Sequence, residues 1–254
     1  MRLSVNLNKI ATLRNSRTVQ QGPRSSGLPS VLEAAKVCVD AGAPGITVHP
    51  RPDARHITRV DVLELAEFLE PLRSRVEYNI EGDPRPDLVE LVLDVRPHQF
   101  TLVPVRAGEI TSQAGWPADT PGAELSELIG RLRAAGIRVS LFVDPTAEAI
   151  EWAAQLGADR VELFTEPFAR AFEQGLEAGH ESFEVYVRAA EHAHRLGLGI
   201  NAGHDLDLDN LQLFRKLPHL AEVSIGHALM ARAMFEGLDT VVRQYLAVLS
   251  GKTP

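Results

Sequence analysis

Short runs of β-branched and aliphatic residues recur along the chain, each followed by a longer stretch with helical spacing. The pattern predicts eight strands: Arg2–Leu7, Gly45–His49, Val76–Glu81, Gln99–Val103, Arg138–Val143, Arg160–Phe164, Gly197–Asn201 and Glu222–Gly226. They read as short and apolar, with few alternating charges, as parallel strands covered on both sides do. Amphipathic stretches separate them at Leu28–Ala41, Val60–Leu72, Pro86–Val95, Ala123–Ala135, Ala147–Leu156, Phe183–Leu196 and Asp207–Lys216. A last one follows Gly226 and runs to about Leu249. Several helix-to-strand turns share one grammar, as in Ala135-Gly136-Ile137 and Leu156-Gly157-Ala158, where glycine supplies the left-handed residue that ends a helix.

Strands alternating with helices at this pitch are βαβ units of an α/β protein. Eight units without a linker or a change of composition predict a closed (β/α)8 TIM barrel that fills residues 1–254 as one catalytic domain. The alternative is an open doubly wound sheet. That fold wants a glycine-rich phosphate loop after the first strand, and Asn6-Leu7-Asn8-Lys9 is not one. Two long connections, Asn15–Gly27 and Arg106–Thr120, fall on the strand-exit side, where barrels keep their active sites, and read either as lids or as plain surface loops.

Charge narrows the range of partners. A net charge of −8 and a pI near 5.6 argue against nucleic acid or a membrane surface, so an anionic ligand needs a local basic cluster. The one cysteine, Cys38, lies in the run Val37-Cys38-Val39, which predicts an inert core thiol and a reducing compartment. The first residues turn polar too soon for a secretory signal, and no apolar stretch approaches the ~20 residues of a membrane span. A cytoplasmic location is expected.

In a barrel, polar residues at strand C-termini face the site. Collected there are Asn6, Asn8 and Lys9, with Arg14 and Arg17 shortly after; His49, Arg51, Arg55 and His56; and Asn79 and Glu81. The later exits add Glu109 and Thr111, Glu162, Asn201 and His204 with Asp205 following, and Ser224, Gly226 and His227. A lone histidine near a strand end is more often a hydrogen-bonded structural group than a catalyst, so the coincidence at one rim carries the weight. A carboxylate inside an apolar run, as in Val161-Glu162-Leu163, is costly to bury and needs a partner or a function. The set combines proton-transfer groups (His49, His204, Glu81, Glu162) with anion-binding ones (Arg14, Arg17, Arg51, Arg55, Lys9). Gly203 and Gly226 each precede a histidine at the seventh and eighth exits, the usual phosphate corner of such barrels. No close His-Xaa-His pair or acidic cluster suited to a metal stands at the strand ends, and no lysine is placed there for a Schiff base. Acid–base chemistry on small phosphorylated molecules follows, without the particular reaction.

At these residues the chain resembles the pyridoxine 5′-phosphate synthase family, the PdxJ enzymes. The resemblance is carried by Val5-Asn6-Leu7-Asn8-Lys9-Ile10-Ala11-Thr12-Leu13-Arg14-Asn15-Ser16-Arg17, by Gly45 to Ile57 around His49-Pro50-Arg51, by Asn79-Ile80-Glu81, by Asn201-Ala202-Gly203-His204, and by Ser224-Ile225-Gly226-His227-Ala228. It implies a (β/α)8 barrel with additional helices, assembly into homo-octamers, and no metal or organic cofactor. The implied reaction condenses 1-deoxy-D-xylulose 5-phosphate with 3-amino-2-oxopropyl phosphate, closing a pyridine ring and releasing phosphate and water. By position, His49 and Glu81 match proton acceptors, His204 the proton donor, and Glu162 a carboxylate that stabilises a transition state. Arg51, His56 and Thr111 match contacts to the deoxyxylulose phosphate; Asn6, Arg17, Gly226 and His227 match contacts to the aminoketone phosphate. Asn8, Lys9 and Asp205 depart from the residues most common in the family, at positions that hold substrate. The competing functions are a phosphosugar aldolase or isomerase on the same fold, and a barrel that only binds a phosphorylated metabolite. The first wants a lysine or metal cluster; the second would have lost one of His49, Glu81 or His204.

Overall fold

The computed structural model describes residues 1–17, 28–104 and 113–252. Eight parallel strands close into a barrel in sequence order: β1 (Arg2–Asn6), β2 (Gly45–Val48), β3 (Glu77–Gly82), β4 (Gln99–Leu102), β5 (Arg138–Val143), β6 (Arg160–Phe164), β7 (Gly199–Gly203) and β8 (Leu220–Ile225). The helices around it are α1 (Asn8–Asn15), α2 (Val31–Asp40), α3 (Arg59–Leu69), α4 (Pro86–Val95), α5 (Ala123–Ala134), α6 (Ala147–Gln155), α7 (Glu166–Gln174), α8 (Leu176–Arg195), α9 (Leu211–Phe214), α10 (His227–Glu236) and α11 (Leu238–Leu249). The (β/α)8 architecture expected from the sequence is the one observed.

Local chemistry explains where the helices begin. Thr58 caps α3 by accepting from the Asp61 backbone, while the Asp61 carboxylate accepts from the Thr58 backbone. This reciprocal arrangement satisfies two donors that a helix start otherwise leaves open. Pro86 opens α4, where its missing N–H costs nothing. Gly136, at φ 79°, makes the left-handed step from α5 into β5.

The strands alternate cleanly, unlike the uniformly apolar runs expected. Their outward residues, among them Leu3, Val5, Ile46, Val48, Tyr78, Ile80, Leu141 and Leu163, are buried against the helices in one continuous core. Their inward residues are mostly polar and bond across the barrel. Ser4 Oγ lies 2.6 Å from Thr47 Oγ1, Asn79 Nδ2 donates to Thr47 at 3.3 Å, and Thr101 donates to Asn79 at 3.0 Å. Asn201 on β7 donates to Gln99 on β4 at 3.3 Å. At the N-terminal end Glu77 accepts from Arg2 at 2.8 Å and from Arg138 at 2.6 Å. Toward the C-terminal rim Val103, Phe142 and Phe164 form a buried apolar cluster separate from the main core.

Several boundaries move. α1 occupies residues between the first strand and the Asn15–Gly27 connection for which no element was expected, and α7 falls between the sixth strand and the helix expected from Phe183. That helix, α8, starts seven residues earlier, at Leu176. β7 begins two residues late, because Gly197 is the left-handed residue of the preceding turn. α9 is a single short turn of four residues rather than a helix over Asp207–Lys216. Of the two long connections, residues 18–27 and 105–112 lie outside the described residues, and with them Glu109 and Thr111. The described end of the second is anchored: Trp116 donates from its ring to the Leu102 carbonyl at 2.9 Å and from its backbone to Phe142 at 2.9 Å. Cys38 is fully buried, and burial pushes its thiol up to about 12, as an inert core position requires.

Candidate active site

The polar residues collected from the strand exits converge on the C-terminal rim. Asn6, at the end of β1, does two things. Its Oδ1 accepts from the Asn8 backbone at 3.0 Å, and its Nδ2 donates to Glu81 Oε2 at 3.3 Å. Asn8 in turn accepts from the His49 backbone at 2.9 Å, which ties the exits of β1 and β2 together. Glu81 receives a second, longer bond from Ser224 Oγ on β8 at 3.5 Å. His49 Nδ1 lies 3.9 Å from Glu81 Oε2, and the His49 and His56 rings meet edge to face with centroids 6.1 Å apart.

Burial sets the protonation of this cluster. Glu81 is pushed up to about 8, by burial first and then by the charge of Glu222, against the bonds from Ser224 and Asn6. Glu162 is raised well above the usual range by burial and by the charges of Glu81 and Glu222, and its buried Oε2 has no hydrogen-bond partner among the described residues. His49 moves the other way. Burial, then His56, Arg51 and Arg85, hold it well below the ordinary value. His56 falls to about 4 for the same reasons, burial first and Arg51 next. Buried Nε2 of His49 and Nδ1 of His56 have no hydrogen-bond partner among the described residues. Burial thus disfavours the charged forms of the His49 and His56 imidazoles and of the Glu81 and Glu162 carboxyls, beside the buried guanidinium of Arg51.

His204 is held differently. Its backbone is at φ 96°, in the left-handed region that non-glycine residues avoid, and its carbonyl accepts from Thr165 Oγ1. Its Nδ1 lies 3.1 Å from Asp205 Oδ2, and its ring stands edge-on to Phe164 with centroids 5.1 Å apart. The imidazole beside Asp205 holds that carboxyl below its usual value. A Cβ on Gly203 would sit 2.5 Å from Glu162 Oε1 and 3.1 Å from the Ser224 carbonyl oxygen, so the Glu162 carboxyl would have to move. Gly226 is the N-cap of α10, and the N–H groups of that helix's first turn lack acceptors within the helix. A Cβ on Gly226 would meet Asn6 Cβ at 3.1 Å. His227 is exposed at the start of α10, while Lys9 and Arg17 are exposed on and just past α1.

Two of the expected anion-binding residues are committed elsewhere. Arg14 is buried, with Nη2 donating to Asp61 at 2.9 Å and to the His56 carbonyl at 3.2 Å, so it anchors α1. Arg55 is paired with Asp53 on the surface. Arg85, missed in the sequence because it lies four residues past Glu81, donates to the Pro50 carbonyl at 2.6 Å and is among the charges that keep His49 neutral. Phe142 and Phe164 carry no polar signal at their strand ends, whereas Thr165, polar and directly after β6, shares the strand-exit signal of the other rim residues. Among the described residues no group of three or more His, Cys, Asp or Glu side chains comes together as a metal site.

The profile of the family described as "Pyridoxal phosphate biosynthesis protein PdxJ" matches residues 3–251. The chain belongs to the PdxJ family. It is 51% identical over 258 residues to a pyridoxine 5′-phosphate synthase of Leptospira biflexa, covering 98% of this chain and 96% of the relative. It is 50% identical over 245 residues to one of Bacteroides fragilis, covering 96% and 97%. Phosphoribosyl anthranilate isomerase from Thermotoga maritima superimposes with a TM-score of 0.62 at 14% identity, over 99% of each chain. The enzyme of that name from Thermus thermophilus gives 0.57 at 18%, again over 99% of each. These two likenesses are of fold alone, whereas the PdxJ relatives share half their residues with this chain along nearly its whole length.

Proposed function

We propose that this chain is a pyridoxine 5′-phosphate synthase. It condenses 1-deoxy-D-xylulose 5-phosphate with 3-amino-2-oxopropyl phosphate, and the whole barrel acts as one catalytic domain. The observation that carries this reading is the meeting of His49, Glu81, Glu162 and His204 at one rim of a PdxJ-family barrel. His49, kept neutral by burial, is in the form that accepts a proton. Glu81, at about 8, sits where a carboxyl both takes and returns a proton near neutral pH. His204, braced by Asp205 and Phe164, is the donor to the leaving oxygen. Glu162 lies beneath as the carboxyl that responds to charge developing on the substrate.

Arg51, His56 and Thr111 are assigned to the deoxyxylulose phosphate. Asn6, Arg17, Gly226 and His227 are assigned to the aminoketone phosphate, with Asn8, Lys9 and Asp205 adjoining. The start of α10 supplies backbone donors suited to a phosphate. A phosphosugar aldolase is disfavoured because no inward strand position carries a lysine. Among the described residues no helix is long and apolar enough to cross a membrane. A cytoplasmic location and a homo-oligomer, an octamer as in the family, complete the proposal. Exposed Phe235 (90%) and Met234 (72%) on α10 support the oligomer.

Purified, chelator-treated protein incubated with both phosphorylated substrates should form pyridoxine 5′-phosphate, followed by absorbance. No product with either order of addition would overturn the assignment. Activity that returns only with one divalent ion would overturn the metal-free chemistry.

A further inference from the structure

Four carboxylates point into the barrel: Glu77, Glu81, Glu162 and Glu222. Glu77 is tied to Arg2 and Arg138. Glu222 is 2% exposed, yet it forms no salt bridge among the described residues, although β1, β5 and β6 bring Arg2, Arg138 and Arg160 to the same end of the barrel. Its place in the register is specific. Asn201 on β7 pairs on one side with Glu222 and on the other with Glu162 on β6. Two residues further along β8, Ser224 donates to Glu81. Glu222 thus stands one layer below the rim, flanking both carboxyls of the site.

We propose that Glu222 is a positioning residue for the acid–base chemistry: buried one layer beneath the rim, with Asn201 between it and Glu162 and Ser224 between it and Glu81, it sets the electrostatics of both rim carboxyls. The inference rests on the synthase reading of the rim. A carboxylate present only to neutralise the arginines would be paired as Glu77 is. The charge of Glu222 acts on both rim carboxyls, adding to the effect of burial on each. Glu222 is itself pushed up to about 7, by burial and by Glu77, against Arg160, Arg138 and Arg2. It therefore changes charge in the range where Glu81 does, and the groups titrate together.

The test is kcat/KM against pH for the wild type, Glu222→Gln and Glu222→Asp. Removing the charge lowers the proton affinity of Glu81, so the acid limb of the Gln variant should move to lower pH by on the order of one unit. The Asp variant keeps the charge and should keep the wild-type limb. A folded, active Gln variant with an unmoved limb would overturn the proposal, and so would an Asp variant that shifts as far as Gln. If the Gln variant does not fold, infrared titration of the protonated-carboxyl band in the wild type and the Asp variant decides. A broadened, coupled titration across neutrality is expected, and independent one-proton curves would refute the link. A wild type inactive on both substrates would sink the synthase reading instead, and the infrared titration would still test Glu222.

Discussion

Nδ1 of His49 lies 3.9 Å from Oε2 of Glu81, and at neutral pH both groups are uncharged. An exposed pair at this distance would be imidazolium and carboxylate. Burial reverses the preference, because a charged form loses more solvation here than the partner returns. The proton sits on the carboxyl, and the imidazole is free to accept another.

This arrangement costs stability, and the cost depends on pH. Glu81 holds its proton to about pH 8 in the folded chain, against an ordinary value of 4.5. Between those values the folded state binds a proton that the unfolded state releases, so this group's contribution to stability falls as pH rises. Glu81→Gln removes the penalty. The variant should melt at a higher temperature than the wild type at pH 8, and the gap should close toward pH 4.5. It should also lose roughly 10²–10⁴-fold in kcat, the usual contribution of a positioned proton-transfer group. Calorimetry at the two pH values checks the first part; equal stability gaps at both would show that Glu81 is not protonated in the fold.

His204→Asn should lower kcat by a similar ~10²–10⁴-fold while leaving the melting temperature nearly unchanged. The left-handed backbone is held by Thr165 and tolerates asparagine well. A change confined to KM would mean that the ring only binds substrate.

Arg14 separates anchoring from anion binding. Arg14→Ala leaves Asp61 buried beside Thr58 without its cation, which should cost about 3–5 kcal/mol of stability. Urea denaturation measures this directly. Full stability combined with a large rise in KM would show that Arg14 serves the substrate after all.

Why some of this was readable in sequence, and some not, follows from the period of the signal. Strands such as Arg138–Val143 and Arg160–Phe164 stand where expected, because turn glycines and β-branched runs mark them. Their alternation was overlooked: Arg-Val-Ser-Leu and Arg-Val-Glu-Leu place every second residue inside a polar barrel, and attention to hydrophobic runs hides that. α1 escaped because it is two turns long with the apolar Leu7 as its N-cap, so no capping signal precedes it. The rim residues were recoverable from topology, since strand ends share one face. Arg14 was not, since only the tertiary fold brings Asp61 to it.

Gly226 offers the sharpest test of the phosphate corner. It precedes the open N–H groups of α10, and it also lies against Asn6, whose side chain donates to Glu81. The two contacts predict different outcomes for two substitutions. In Gly226→Ala the methyl meets Asn6 Cβ at 3.1 Å, tighter than ordinary packing, so β1 must give by a few tenths of an ångström. If the phosphate needs the bare backbone, KM for the aminoketone phosphate should rise by about tenfold or more with kcat little changed, and Gly226→Val should be worse. If Asn6 is what matters, the displaced amide loosens its 3.3 Å bond to Glu81, and kcat falls while KM holds. Asn6→Gly then supplies the control, since it removes the crowding Cβ and the bond to Glu81 together. A KM in the Asn6→Gly, Gly226→Ala double variant no higher than in Asn6→Gly alone would show that the glycine relieves crowding rather than admitting a phosphate oxygen. Persistence of the raised KM in that background assigns the site to the start of α10, where His227→Ala should do less than either glycine substitution because the backbone donors remain.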